Sequence, residues 1–185
     1  MYAYCINNPT NYLDFEGTDA VWIQESDSAG GFGHAGLLVE NEDGKWYFFY
    51  WGMESETIDF ENVLKAVSGT KAKLVWKEIE TDNCDLATTT GVKEALQMSG
   101  DPDVNRSELV TDTLYFTGDF SKTFEYIEKL SKESQQYNLL ANNCVQQSTK
   151  ALKNSSFDFS FTKAVIPNVA FRRARVLNCL RNFFD

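Results

Sequence analysis

Residues 34–51 constrain the fold more than any other stretch of this chain. His34-Ala35-Gly36-Leu37-Leu38-Val39-Glu40 and Lys45-Trp46-Tyr47-Phe48-Phe49-Tyr50-Trp51 are apolar, strand-forming runs, and Asn41-Glu42-Asp43-Gly44 between them is a hairpin turn signal. Further strands are expected at 19–25, 72–79 and 109–117, and short helices at 60–67 and 92–98. Residues 120–132 place Phe120, Phe124, Ile127 and Leu130 at helical spacing, so one face of that helix should be buried. A helix is expected from Cys144 through Lys153, and another from Pro167 onward. The interleaving of strands and helices, without internal repeats, reads as an α+β domain.

Composition narrows the chemistry. The 185 residues include 17 Lys+Arg and 27 Asp+Glu, a net charge of −10, and 14% are aromatic, enough for one well-filled core. The acidic balance argues against a nucleic-acid partner, because affinity for phosphate backbones comes from clustered Lys and Arg. One histidine, His34, excludes three-His zinc sites and paired-imidazole acid/base chemistry. The sequence has no apolar run of transmembrane length, and residues 1–17 lack the pattern of a signal peptide. Cys5, Cys84, Cys144 and Cys179 are far apart, with no C-x-x-C pair, so neither a metal site nor a disulfide framework is expected. No cofactor is implied.

Two residues stand out as candidates for catalysis. Asn142 or Asn143 is a good helix N-cap, which puts Cys144 in the first turn of a helix. Unpaired N–H groups and the dipole there favour a thiolate and could hold an oxyanion. Taken alone, the cysteine could equally be a small buried hydrophobe. His34 follows Gly30-Gly31-Phe32-Gly33, so its ring is expected beside a glycine-permitted gap open to a substrate backbone. A neutral imidazole is the usual proton acceptor for such a thiol. Taken alone, it could be a hydrogen-bonded structural histidine.

Two family resemblances bear on these residues. Tyr2, Tyr4, Asn7, Asn8, Pro9, Asn11, Asp14 and Gly17 resemble the end of the RHS-repeat core, with Phe15 where that pattern has proline. This resemblance implies that residues 1–17 are the tail of that core and 18–185 a C-terminal effector of a polymorphic toxin, delivered as part of a larger RHS protein and countered by a cognate immunity protein. The order of Gly33-His34-Ala35-Gly36-Leu37-Leu38-Val39, the aromatic strand through Tyr50, and Tyr137-Asn138-Leu139-Leu140-Ala141-Asn142-Asn143-Cys144 resembles circularly permuted papain-fold enzymes, the NlpC-like group that includes lecithin:retinol-acyltransferase-like proteins. It implies an antiparallel sheet packed on helices and a thiol hydrolase or acyltransferase with Cys144 as nucleophile and His34 as base and acid. Its substrate would be a peptide, peptidoglycan or acyl carbonyl. A third polar residue on the next strand would orient the imidazole. Tyr50 stands nearest that place, where His, Asn, Gln or Ser is usual, and could instead be a core aromatic; Trp51 should face the other way. Asn143 could position an oxyanion or simply cap the helix. A papain-like module whose catalysis has lapsed, serving as a binding surface, is the alternative. The C-terminal helix is expected to pack through Phe171, Val176 and Leu180, with Arg172, Arg173, Arg175 and Arg181 in water or docking an acidic partner or membrane.

Overall fold

The computed structural model describes residues 18–31, 33–54, 60–133, 135–155 and 166–184, so segment 1–17 lies outside the described residues. Among them the chain forms β1 (Ala20–Glu25), β2 (His34–Glu40), β3 (Trp46–Met53), α1 (Phe60–Ser68), β4 (Thr70–Ile79), α2 (Thr89–Met98), β5 (Asp112–Phe116), α3 (Ser121–Ser131), β6 (Gln136–Tyr137), α4 (Cys144–Leu152) and α5 (Pro167–Phe184). The strands make one antiparallel sheet in the order β5-β1-β2-β3-β4-β6, an α+β architecture. The hairpin turns where expected. Asn41 Oδ1 accepts from the N–H groups of Asp43 (3.0 Å) and Lys45 (2.8 Å), and Gly44 takes the left-handed conformation at φ 74°.

Both faces of the central strands are covered. Trp22, Leu37, Phe49 and Trp51 face a layer that includes α4 and α5, together with Phe120, Ile127, Val145 and Phe171. Val21, Ile23, Leu38, Phe48 and Tyr50 face α2 through Val92, Ala95 and Leu96. Two-sided burial explains why β2 and β3 read as nearly continuous apolar runs rather than strict alternation. Each large side chain so buried contributes about 1.5–3 kcal/mol.

The helical spacing in 120–132 holds: Phe120 and Ile127 are fully buried, Leu130 nearly so, and Phe124 packs against the cluster from the half-buried zone. The C-terminal helix packs differently from expectation. Phe171 is buried, but Val176 is 59% exposed, and Ala170 and Ala174 fill the contact instead. Small side chains allow close approach of α5 to the sheet, and they turn Val176 outward. Leu180 and Arg181 have side chains outside the description. Arg175 is paired with Asp112, whereas Arg172 and Arg173 are exposed. No helix among the described residues is long and apolar enough to cross a membrane.

Candidate active site

The turn before α4 is built by its asparagines. Asn138 Oδ1 accepts from the N–H groups of Leu140 and Ala141, both at 2.9 Å, while its amide donates to Val67 O at 2.7 Å. Leu139 N–H donates to Ala66 O (2.9 Å), tying the turn to α1. Asn143 is the N-cap: its Oδ1 accepts from Gln146 N–H at 3.0 Å, and Gln146 Oε1 accepts from Asn143 N–H at 3.0 Å, a reciprocal capping box. Asn143 Nδ2 donates to Leu139 O at 2.8 Å. This side chain is occupied in shaping the helix start, the capping role of the two considered. Trp51 faces this side of the sheet, and its indole N–H donates to Asn142 O at 3.1 Å.

Cys144 therefore begins α4 and is only 3% exposed. Three backbone N–H groups favour its thiolate, those of Ala35, Val145 and Cys144 itself. They do not prevail. Burial pushes the thiol up to about 12, and the Glu25 carboxylate adds to the rise. The helix N-terminus was expected to lower this value. Complete desolvation of a monoanion outweighs a few partial positive charges, so the closed protein holds a neutral thiol.

The two nominated residues are neighbours through Ala35: it follows His34, shares a buried cluster with Cys144, and its N–H is among the groups that favour the thiolate. α4, which begins at Cys144, thus packs on the strand that begins at His34, despite their distance along the chain. The Cys144 and His34 side chains take different sides of β2. Alternation sends Ala35 and Leu37 to the α4 side, with Cys144. A Cβ on Gly36 would face Phe48 and Ile23, on the α2 side, and His34 belongs to that set through its contact with Tyr50.

Gly33, at φ 88°, precedes His34. The space beside it is filled, not open as the glycine run suggested: a Cβ there would lie 2.3 Å from Asn168 Oδ1 and 2.8 Å from Gln24 Nε2. Gln24 Nε2 donates to Asn168 Oδ1 at 2.5 Å, and Asn168 Nδ2 donates to Ser26 O (3.3 Å) and Gly31 O (3.1 Å). The first turn of α5 therefore clamps the glycine connector.

Tyr50 touches the imidazole through its ring. The centroids are 4.3 Å apart and the planes 22° from parallel. Its ring and hydroxyl lie over Gly52, where a Cβ would come within 2.6 Å of the ring and 2.7 Å of the oxygen, so only glycine fits there. The Arg106 guanidinium stands 4.4 Å from the same ring centroid. Arg106 also grips Glu25 with two bonds, Nε to Oε1 at 2.7 Å and Nη2 to Oε2 at 2.8 Å, and Ser28 Oγ donates to Oε2 at 2.8 Å. Glu25 is directly opposite His34 in the β1–β2 register. Burial opposes ionisation of the Glu25 carboxyl. The Arg106 bonds and charge, with the His34 charge, nonetheless hold it below the usual carboxylate range. Sequence reasoning missed Glu25 and Arg106. The available signal was a carboxylate ending an otherwise apolar strand beside the only histidine.

Comparisons with protein-family models, with curated proteins and with solved structures each return no match.

Proposed function

We propose that this chain is a thiol hydrolase or acyltransferase of papain-like, permuted NlpC type, acting on an amide or (thio)ester carbonyl. The observation that carries the reading is the position of Cys144 at the N-terminus of α4, which packs on β2 and shares a buried cluster with Ala35, the residue next to His34. In the reaction the thiol proton passes to His34 and sulfur adds to the carbonyl carbon. The oxyanion is held by N–H groups at the start of α4. His34 then returns the proton to the leaving amine, alcohol or thiol as the C–N, C–O or C–S bond breaks, and water or an amine releases the acyl group from the Cys144 sulfur. In the resting structure the two side chains take different sides of β2, so direct proton transfer requires the His34 end of that strand, which follows Gly33, to turn toward the thiol when substrate binds. Peptide or peptidoglycan amides are the first choice of substrate. Delivery as the C-terminal effector of an RHS protein, with a cognate immunity protein as partner, is the biological setting that residues 1–17 suggest.

The burial of Cys144 favours a second reading, a papain-like module whose catalysis has lapsed and which works by binding. Expression in bacteria separates the two. Toxicity that disappears in both Cys144→Ala and His34→Ala, in proteins that remain folded, supports catalysis. Undiminished toxicity in the Cys144→Ala protein sinks it.

A further inference from the structure

We propose that Glu25, clamped by Arg106, is the positioning residue of His34, occupying from β1 the role that sequence reading gave to Tyr50 on β3. The proposal takes its catalytic meaning from the acyl-transfer reading, but the arrangement itself can be tested in the resting protein.

Three observations carry it. Glu25 and His34 are directly opposed across the β1–β2 ladder, and cross-strand partners of this kind have Cβ atoms about 4.5–5.5 Å apart. The carboxylate is almost wholly enclosed: its side chain is 3% exposed and that of Arg106 14%. A buried carboxylate of this kind is a fixed charge, not a mobile surface group. An ionised carboxylate offers about four lone-pair sites. Arg106 Nε, Arg106 Nη2 and Ser28 Oγ take three of them. The remaining capacity suits the N–H of the facing imidazole. Tyr50, by contrast, stacks on the imidazole and extends its hydroxyl over Gly52, so it fixes the plane of the ring without supplying a charge.

The ionisable groups on the His34 side of β2 are thus Glu25 from β1, Tyr50 from β3 and Arg106 from the segment before β5, while Cys144 of α4 lies on the other side. Glu25 favours the imidazolium, and Arg106 opposes it while holding Glu25 in place. This division of roles makes predictions of opposite sign for the two partners.

The chain has one histidine, so a proton NMR titration of the purified protein reads His34 without assignment. Glu25→Gln removes the negative charge and leaves Arg106 uncompensated. The titration midpoint should fall by about one pH unit, a tenfold loss of proton affinity. Arg106→Gln frees the carboxylate, and the midpoint should rise. Tyr50→Phe keeps the stacked ring and should leave the midpoint near its wild-type value. Equal midpoints in wild type and Glu25→Gln overturn the proposal, as does a Tyr50→Phe shift as large as that of Glu25→Gln. If Glu25→Gln does not fold, the Arg106→Gln direction decides, a fall or no change being fatal. Wild type supplies an arm that needs no variant: a midpoint depressed below about 6.5, as for a buried imidazole without a carboxylate, also overturns it. Lost toxicity plays no part in this readout, so the enzyme reading can fail while the Glu25–His34 pairing stands, and the reverse.

Discussion

The two sides of β2 bury an acid equally well and leave it in opposite states. On the α4 side, Cys144 is 3% exposed and its favourable partners are backbone N–H groups; desolvation wins, and the thiol stays protonated. On the α2 side, Glu25 is 2% exposed, yet it stays ionised because a guanidinium grips both oxygens. Burial alone does not determine protonation; a fixed countercharge does. The two sides also act on each other through the strand. The carboxylate that favours a cationic His34 is among the causes that hold Cys144 neutral. Any event that screens Glu25 therefore shifts both groups, making the thiolate easier to form and the imidazolium harder.

The sharpest way to break this contrast is to remove one member of the buried ion pair. Arg106→Ala should destabilise the fold by about 3–5 kcal/mol in chemical denaturation, because an uncompensated charge stays buried. Cys144→Ala, which strands no charge, should cost clearly less; equal losses would erase the distinction between the two sides. Alkylation of the native protein tests the thiol side directly. Cys84 is partly exposed and Cys144 is buried with its thiol near 12. Iodoacetamide at pH 8 should modify Cys144 at least about a hundredfold more slowly than Cys84, as read by mass spectrometry of peptides. Comparable rates would mean that the site opens freely without substrate. The smallest effect is in alkaline stability. The folded thiol lies above its ordinary value of 9.0, so the unfolded chain gives up the proton first and stability falls as pH rises from about 9 toward 12. Relative to Cys144→Ala, wild type should lose about 1.4 kcal/mol by pH 10. Glu25 has the opposite sign: its contribution is present above its ordinary value of 4.5 and is lost as pH falls through its lowered folded value.

Much of the fold could be read from local signals. The NEDG turn and its flanking runs gave the central hairpin, and the double asparagine before Cys144 marked the start of α4. Those features are set by neighbours in sequence. β6 went unseen because two residues, Gln136 and Tyr137, carry no periodicity; their pairing with Thr70 and Lys71 defines them as a strand. Glu25 reads as a solvent-facing strand end until Arg106, 81 positions later, arrives to hold it. The depressed thiol pKa expected of a helix start required knowing how deeply α4 lies against the sheet. The gap beside Gly33 read as open because its occupant, Asn168, comes from a helix far along the chain.

That occupant affects the order in which the molecule can be completed. Asn168 bonds Ser26 O and Gly31 O across 142 and 137 positions, some of the longest sequence separations in the fold. Closing loops of that length is slow relative to forming a local hairpin. A nascent chain can assemble the β2–β3 hairpin and still lack the clamp on the connector that leads into His34. The connector that leads into His34 is therefore completed only when α5 docks.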